Sequence, residues 1–279
     1  MAISVNTNLG SMIIQGTLNK NTAALNKNIE RMTTGLKVNK AADNAAIMSI
    51  AKGLETEIRG SQVAESSIQT GMNILQTAES DLSLIEDHVS RVRDLATQAA
   101  SDFYTPDARA AMAAEAQACV DEINRLSGGS NFNGINLLDG SSQSMRLQIG
   151  AGADGSTNAI DVGTALDDAS AAALGITTTI ENAFASASSA ANFISECDVA
   201  LNHINNRLST IGATQNRLTS AYDSLTVKTQ NLYAARSSIM DADIAQESSL
   251  YTRNMMLQNA AASLLVQANQ APSVALSLI

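Results

Sequence analysis

Tryptophan is absent from this chain of 279 residues, and aromatic residues make up only 3% of it. Without large rings a rounded core is hard to fill, so the apolar 45% must pack as small aliphatic side chains. The 46 alanines among them suit closely packed helices. Proline is nearly missing too. Pro106 and Pro272 are the only two, so residues 107–271 contain no helix breaker of that kind. Two cysteines, Cys119 and Cys197, cannot build a disulfide framework, and no Cys/His ligand set accompanies them. No apolar run reaches the roughly 18 residues of a membrane span, so no membrane insertion is expected. Residues 1–16 lack both the basic residues and the continuous apolar stretch of a secretory signal peptide.

Positive charge is also scarce: 17 Lys and Arg against 27 Asp and Glu leave a net −10, which argues against nucleic acid as a partner. The first 52 residues run the other way. Lys20, Lys27, Arg31, Lys37, Lys40 and Lys52 outnumber Glu30 and Asp43, a local +4 that reads as a solvated helix face. Catalytic patterns are missing: His88 and His203 flank apolar seams outside any His-Glu-x-x-His or triad setting, and neither nucleotide-binding glycine motif occurs. No enzyme activity, metal or cofactor is expected.

What the chain does have is heptads. Ile68, Leu75, Leu82, Val89 and Ala96 fall at a, with Gly71, Ala78, Ile85, Val92 and Ala99 at d, predicting a helix from about residue 67 to 101. It should stop between Phe103 and Pro106, where Thr105 and Asp107 offer caps. A second helix carries the seam Met112, Ala116, Cys119, Ile123 and Leu126, ending at Gly128 and Gly129.

Between residues 130 and 179 the period changes. Asn133-Gly134 is a tight-turn signal, and Leu147/Ile149 alternate with Ile160/Val162 around a glycine-rich loop, predicting one short β-hairpin at about 140–165 and no other sheet. From about Glu181 a longer heptad runs through Ala190, Cys197, Ile204, Ile211, Leu218, Leu225, Leu232 and Ile239, with polar d positions beyond Leu208. Both ends are amphipathic: Leu25, Ile29, Met32 and Leu36 near the start, and Leu250, Leu257, Ala261, Leu264 and Ala268 near the end. Neither stripe has an obvious partner except the other.

The fold class that follows is mainly α: an elongated helical bundle or coiled coil with a small β-hairpin between the helical halves. Residues 1–40 with 240–279 would form a terminal coiled-coil domain, and 41–239 the bundle. Met255-Met256 and Met240 read as core filler or a pliable docking surface, and Arg91 and Arg93 as snorkelling side chains at the seam edge. Cys119 and Cys197 both fall on seams and suit buried thiols. If their helices descend side by side from one end, a bridge between them is geometrically open.

Four segments carry a resemblance. MTTGLKVNKAADNAA at 32–46, QTAESDLSLIEDHVSRVRDLATQAA at 76–100, NFNGINLL at 131–138 and DADIAQESSLYTRNMMLQNAAASLLVQANQ at 241–270 are similar, in order, to the signatures of bacterial flagellin. The resemblance implies a secreted, extracellular subunit that polymerises with itself into the flagellar filament for swimming. Its termini would pair as an inner coiled-coil tube, with the seams Leu25, Ile29, Met32, Leu36, Leu250, Leu257, Ala261 and Leu264 carrying assembly. It also implies an export chaperone and cap and hook-junction proteins as partners. Arg91, Leu95 and Glu115 stand where a Toll-like innate-immune receptor contacts recognised flagellins. With some fifty residues between the inner helices, separate outer domains should be absent. Ile47, where the signature commonly has Gly, is a departure. The rival readings are a hook-filament junction protein and a cytosolic coiled-coil scaffold.

Overall fold

The computed structural model describes residues 7–276, with side chains through Gln270. Its helices are α1 (Leu9–Thr34), α2 (Ala45–Ala99), α3 (Pro106–Gly129), the single turn α4 (Ile180–Ala183), α5 (Ala187–Met240) and α6 (Ile244–Leu276). Side-chain oxygens cap the long ones. Asn8, Asn44, Thr105, Ser186 and Asp243 accept from the backbone N–H groups of Ser11, Ile47, Ala108, Ser189 and Ala245 at 2.9–3.2 Å. Pro106 opens α3 at a position whose N–H would be unpaired anyway. The chain is mainly α, as its heptads imply.

Two compact units divide the chain: residues 1–57 with 231–279, and residues 58–230. The boundaries read from the sequence at about 40 and 240 therefore lie further along the chain at the first and earlier at the second. The reason is a small core in the first unit, where Val38, Ala51 and Met240 are buried with Leu36, Ile47, Met48 and Ile239 packed around them. That core ties the first turns of α2 and the last of α5 to the stretch of chain that follows α1. Residues 1–6 and 277–279 of the expected terminal domain lie outside the described residues.

In the second unit the heptads form the core. Ile68, Leu75, Ala78, Leu82, Ile85, Val89, Val92, Ala96 and Ala99 on α2 are fully buried, as are Ala190, Cys197, Ile204, Ile211 and Leu218 on α5. These two helices run antiparallel, with Tyr222 Oη accepting from Gln69, Gln215 donating to Glu79 and Thr229 donating to Glu65 across the seam. The polar d positions of α5 thus find polar partners on α2.

Three sequence expectations are corrected here. α2 begins at Ala45 rather than near 67, because Ser61 and Glu57, at seam positions, interrupt the apolar pattern without interrupting the helix. α5 begins at Ala187 rather than near Glu181. Phe184 turns inward to meet Phe193, ring centroids 6.1 Å apart, and Ser186 restarts the helix. Two antiparallel strand pairs are present rather than one. The expected hairpin pairs β3 (Arg146–Gln148) with β4 (Ala159–Asp161), Leu147 opposite Ile160. A smaller one pairs β1 (Asn131–Phe132) with β2 (Ile135–Asn136), its turn made by Asn133 and Gly134 at φ 52° and 80°.

Gly71, the one seam position without a side chain, is explained by the larger hairpin. Leu147 occupies the space a Cβ at Gly71 would need, so the strand lies directly on α2. Polar staples fix the rest of the insert. Ser127 donates to the Leu138 carbonyl and Ser130 to Asp81, both at 2.5 Å, and Glu196 accepts from the amides of Thr177 and Thr178 at 3.1 Å.

Candidate assembly interface

The terminal stripes pair with each other. α1 and α6 lie antiparallel, with Asn8 donating to the Ala268 carbonyl at 2.7 Å, Gln258 to Thr22 at 3.0 Å and Asn254 to Asn28 at 2.7 Å. The seam between them is apolar only in part. Among the described side chains of these two helices the buried positions are Asn28, Glu247 and Ala261, while Leu25, Met32 and Leu250 are half-buried. Asn28 Nδ2 donates to Glu247 Oε2 at 2.5 Å and Arg31 to Glu247 Oε1 at 2.9 Å.

Large apolar side chains face outward instead. Leu9, Met12, Ile13 and Ile29 on α1 are exposed, and so are Ile244, Met255, Met256, Leu257, Leu264 and Val266 on α6. Ile29, Leu257 and Leu264, read as seam residues from spacing, therefore sit on the outer faces. Met255 and Met256 belong to that outer surface rather than to a core, whereas Met240 is buried. This density of exposed apolar side chains on two helices is a surface built to be covered.

The joint between α1 and α2 explains the first signature. Gly35 ends α1 in the left-handed region at φ 70°, its N–H on the Arg31 carbonyl at 2.8 Å. The chain then runs beside the end of α5: Leu36 bridges to Asp241, Lys37 N–H donates to Met240 O at 2.6 Å, and Ala242 N–H to Gly35 O at 2.8 Å. Leu36 is thus a joint residue, half-buried against Val38 and Met240. Asp43 closes the loop by accepting from the Asn39 and Lys40 amides at 3.2 Å and from Lys27 Nζ at 2.7 Å, and these donors hold its carboxyl down at about 2. Ile47, the departure from the signature, packs half-buried on the Val38 cluster.

In the second unit, Arg91 and Glu115 come together across α2 and α3, Arg91 Nε donating to Glu115 Oε1 at 2.9 Å, with both side chains half exposed. Leu95 does not join them on the surface. At 2% exposure it belongs to the core, one helical turn along α2 but turned inward. Arg93, two residues from Arg91 and so on another side of α2, pairs with Asp198 of α5 at 2.7 Å. Both arginines are therefore interhelical ion pairs rather than free snorkelling chains. Cys119 and Cys197 are free thiols, so the bridge weighed from their depth is not formed. Arg91 pairs with Glu115 of α3, one turn before Cys119, whereas Arg93 pairs with Asp198 of α5, the residue after Cys197. Burial pushes the Cys197 thiol up to about 12 and the Cys119 thiol upward as well. His88 is half-buried and His203 exposed, and no cluster of metal-ligating side chains is present among the described residues.

Paired terminal helices with apolar outer faces in one unit and a heptad-packed bundle in the other define a helical structural protein. Comparison with known proteins gives the family. Residues 5–143 match the model of the bacterial flagellin N-terminal helical region and residues 194–279 that of the C-terminal helical region. The chain is 33% identical to the flagellar filament 33 kDa core protein of Treponema phagedenis over 285 residues, covering 99% of each. It is likewise 33% identical to the flagellin of Bacillus subtilis strain 168 over 301 residues, again 99% of each. A putative flagellar hook-associated protein from Vibrio parahaemolyticus shares the fold, at TM-score 0.59 and 13% identity over 71% of this chain and 100% of that one. The chain belongs to the bacterial flagellin family, and it is a structural subunit of the extracellular flagellar filament.

Proposed function

We propose that copies of this chain polymerise through the outer apolar faces of α1 and α6, and that the chain's work is mechanical rather than enzymatic. The observation that carries this is the inverted pattern of the terminal pair, polar at its buried centre and apolar outside. Repeated head-to-tail contacts between such faces generate a helical polymer instead of a closed ring when the rotation does not close. Covering each outward Leu, Ile or Met contributes roughly 1–2 kcal/mol, so a handful of them per subunit offsets the entropy of association. Leu25, Met32, Leu250 and Ala261 hold α1 to α6, Leu36 holds the joint, and Ile29, Leu257 and Leu264 meet neighbouring subunits. Concentrated protein viewed by electron microscopy should show tubes, and Leu264→Asp with Met256→Asp should leave soluble, folded subunits. Normal tubes from that variant would refute the assignment of faces.

The same reading brings an export chaperone and cap and hook-junction proteins as partners during secretion and growth. Recognition by a Toll-like receptor would fall on the Arg91–Glu115 pair, with Leu95 supporting it from within. In a receptor-reporter assay Arg91→Ala should cost about 1–2 kcal/mol of apparent affinity; an unchanged response would remove this contact.

A further inference from the structure

We infer that the polar cluster Asn28–Arg31–Glu247–Asn254 fixes the axial register of α1 against α6, and thereby decides which outward apolar side chains stand side by side for assembly. The inference rests on the filament reading and adds specificity-determining residues to it.

The half-buried and buried positions of α1 include 11, 14, 18, 21, 25, 28 and 32, and those of α6 include 247, 251, 254, 258, 261, 265 and 268. Each set steps by threes and fours, the spacing of a coiled-coil seam. The apolar members are Ile14, Leu18, Leu25, Met32, Leu265 and the alanines Ala261 and Ala268, mostly chains that tolerate exchange of neighbours, so apolar contact alone leaves a slip of one or two turns cheap. The polar members do not slip. Glu247 accepts from both Asn28 and Arg31, while the other end of the Asn28 amide accepts from Asn254, which links the four side chains in one run of hydrogen bonds across the seam. Asn28 and Glu247 are each only 6% exposed. A shifted register would strand a buried carboxylate and a buried amide without water to replace the lost partners.

The flanking contacts agree on the alignment. Thr22 with Gln258, Ser11 with Asn269 and Asn8 with the Ala268 carbonyl continue the same antiparallel register outward from the cluster. The cluster is also not tuned for stability alone: the Nε of Arg31 is buried and has no acceptor. A buried polar group kept at some cost to stability is the best-attested way for paired helices to specify register. The consequence reaches the outer face. A slip of one turn would move Met256, Leu257 and Leu264 by about 5 Å relative to Met12, Ile13 and Ile29 and break the composite surface.

Disulfide trapping reads the register directly. Thr22→Cys with Gln258→Cys should bridge readily, and the shifted pairs Thr22→Cys with Tyr251→Cys or with Ala261→Cys, which leave the polar cluster whole, should not, peptide mapping separating each bridge from Cys119 and Cys197. Adding Asn28→Leu and Glu247→Leu should keep α1 and α6 helical and paired, yet shift the balance from the 22–258 bridge toward the displaced bridges by roughly tenfold, the weight of a charged hydrogen bond. Polymer yield should fall with it. Two results overturn the inference: equal bridging of in-register and shifted pairs in the chain with the cluster intact, or unchanged 22–258 bridging and tube formation in the leucine variant. Failure of the unsubstituted chain to form tubes would count against the filament reading instead, because the bridges are read in soluble subunits as well.

Discussion

Single residues in this protein act mostly by placing polar groups where helices meet. Asp43 is half-buried and strongly depressed, to about 2, because Lys27 and the Asn39 and Lys40 amides all donate to its carboxylate. A carboxylate with a depressed folded-state value stabilises the fold above its unfolded value near 4 and loses that contribution as pH falls through 2. The loop of residues 35–44 should therefore hold its amide protection at pH 4 and lose it toward pH 2. A carboxylate titration by NMR should place the Asp43 midpoint near 2, and Asp43→Asn should loosen the Asn39 and Lys40 amides at neutral pH. The cysteines give a second residue-scale outcome. Both thiols are free, and Cys197 is the more buried and the more strongly raised, so in native protein alkylation should reach Cys119 first and Cys197 only on unfolding. Mass spectrometry without reductant should find two thiols and no bridge.

At the scale of elements, the heptads were legible in the sequence wherever the a positions stayed apolar, as in α5 to Ile239 despite its polar d positions, and illegible where polar residues held consecutive d and a positions, as at Glu57 and Ser61. The stretch from Ile68 to Ala99 reads straight off, and Leu82, fully buried in its middle, should cost about 2–5 kcal/mol in unfolding free energy as Leu82→Ala, checked by denaturant titration. The first turns of α2 were hidden by Ser61 and Glu57, whose polarity says nothing against helix once neighbouring elements supply the packing. The α1–α6 seam was hidden more deeply. Spacing put Ile29, Leu257 and Leu264 on the terminal stripes without saying whether those stripes meet each other or a neighbouring copy, whereas the inward positions beside them are Asn28, Glu247 and Asn254. Nothing in one chain's sequence separates an apolar stripe that meets its own fold from one that meets a neighbour. Leu95 fails for the opposite reason: a motif placed it beside Arg91, and the helical period turns it inward. The paired hydrogen-bond complementarity of Asn28 with Glu247, 219 residues apart, is a signal only three-dimensional placement could give.

For the whole molecule, the net charge of −10 opposes close approach of copies, so polymerisation driven by apolar faces should accelerate as salt screens that repulsion, measured by light scattering across ionic strength. In the proposed polymer the buried polar centre belongs to one subunit, while the outer apolar faces belong to the contacts between subunits. Helical reconstruction of assembled filaments by electron cryomicroscopy tests it most directly. Asn28, Glu247 and Asn254 should remain bonded within each subunit, with Ile13, Met256 and Leu264 buried against neighbouring copies. Filaments in which those three apolar side chains face solvent, or in which Asn28 and Glu247 of the same chain are parted, would contradict it.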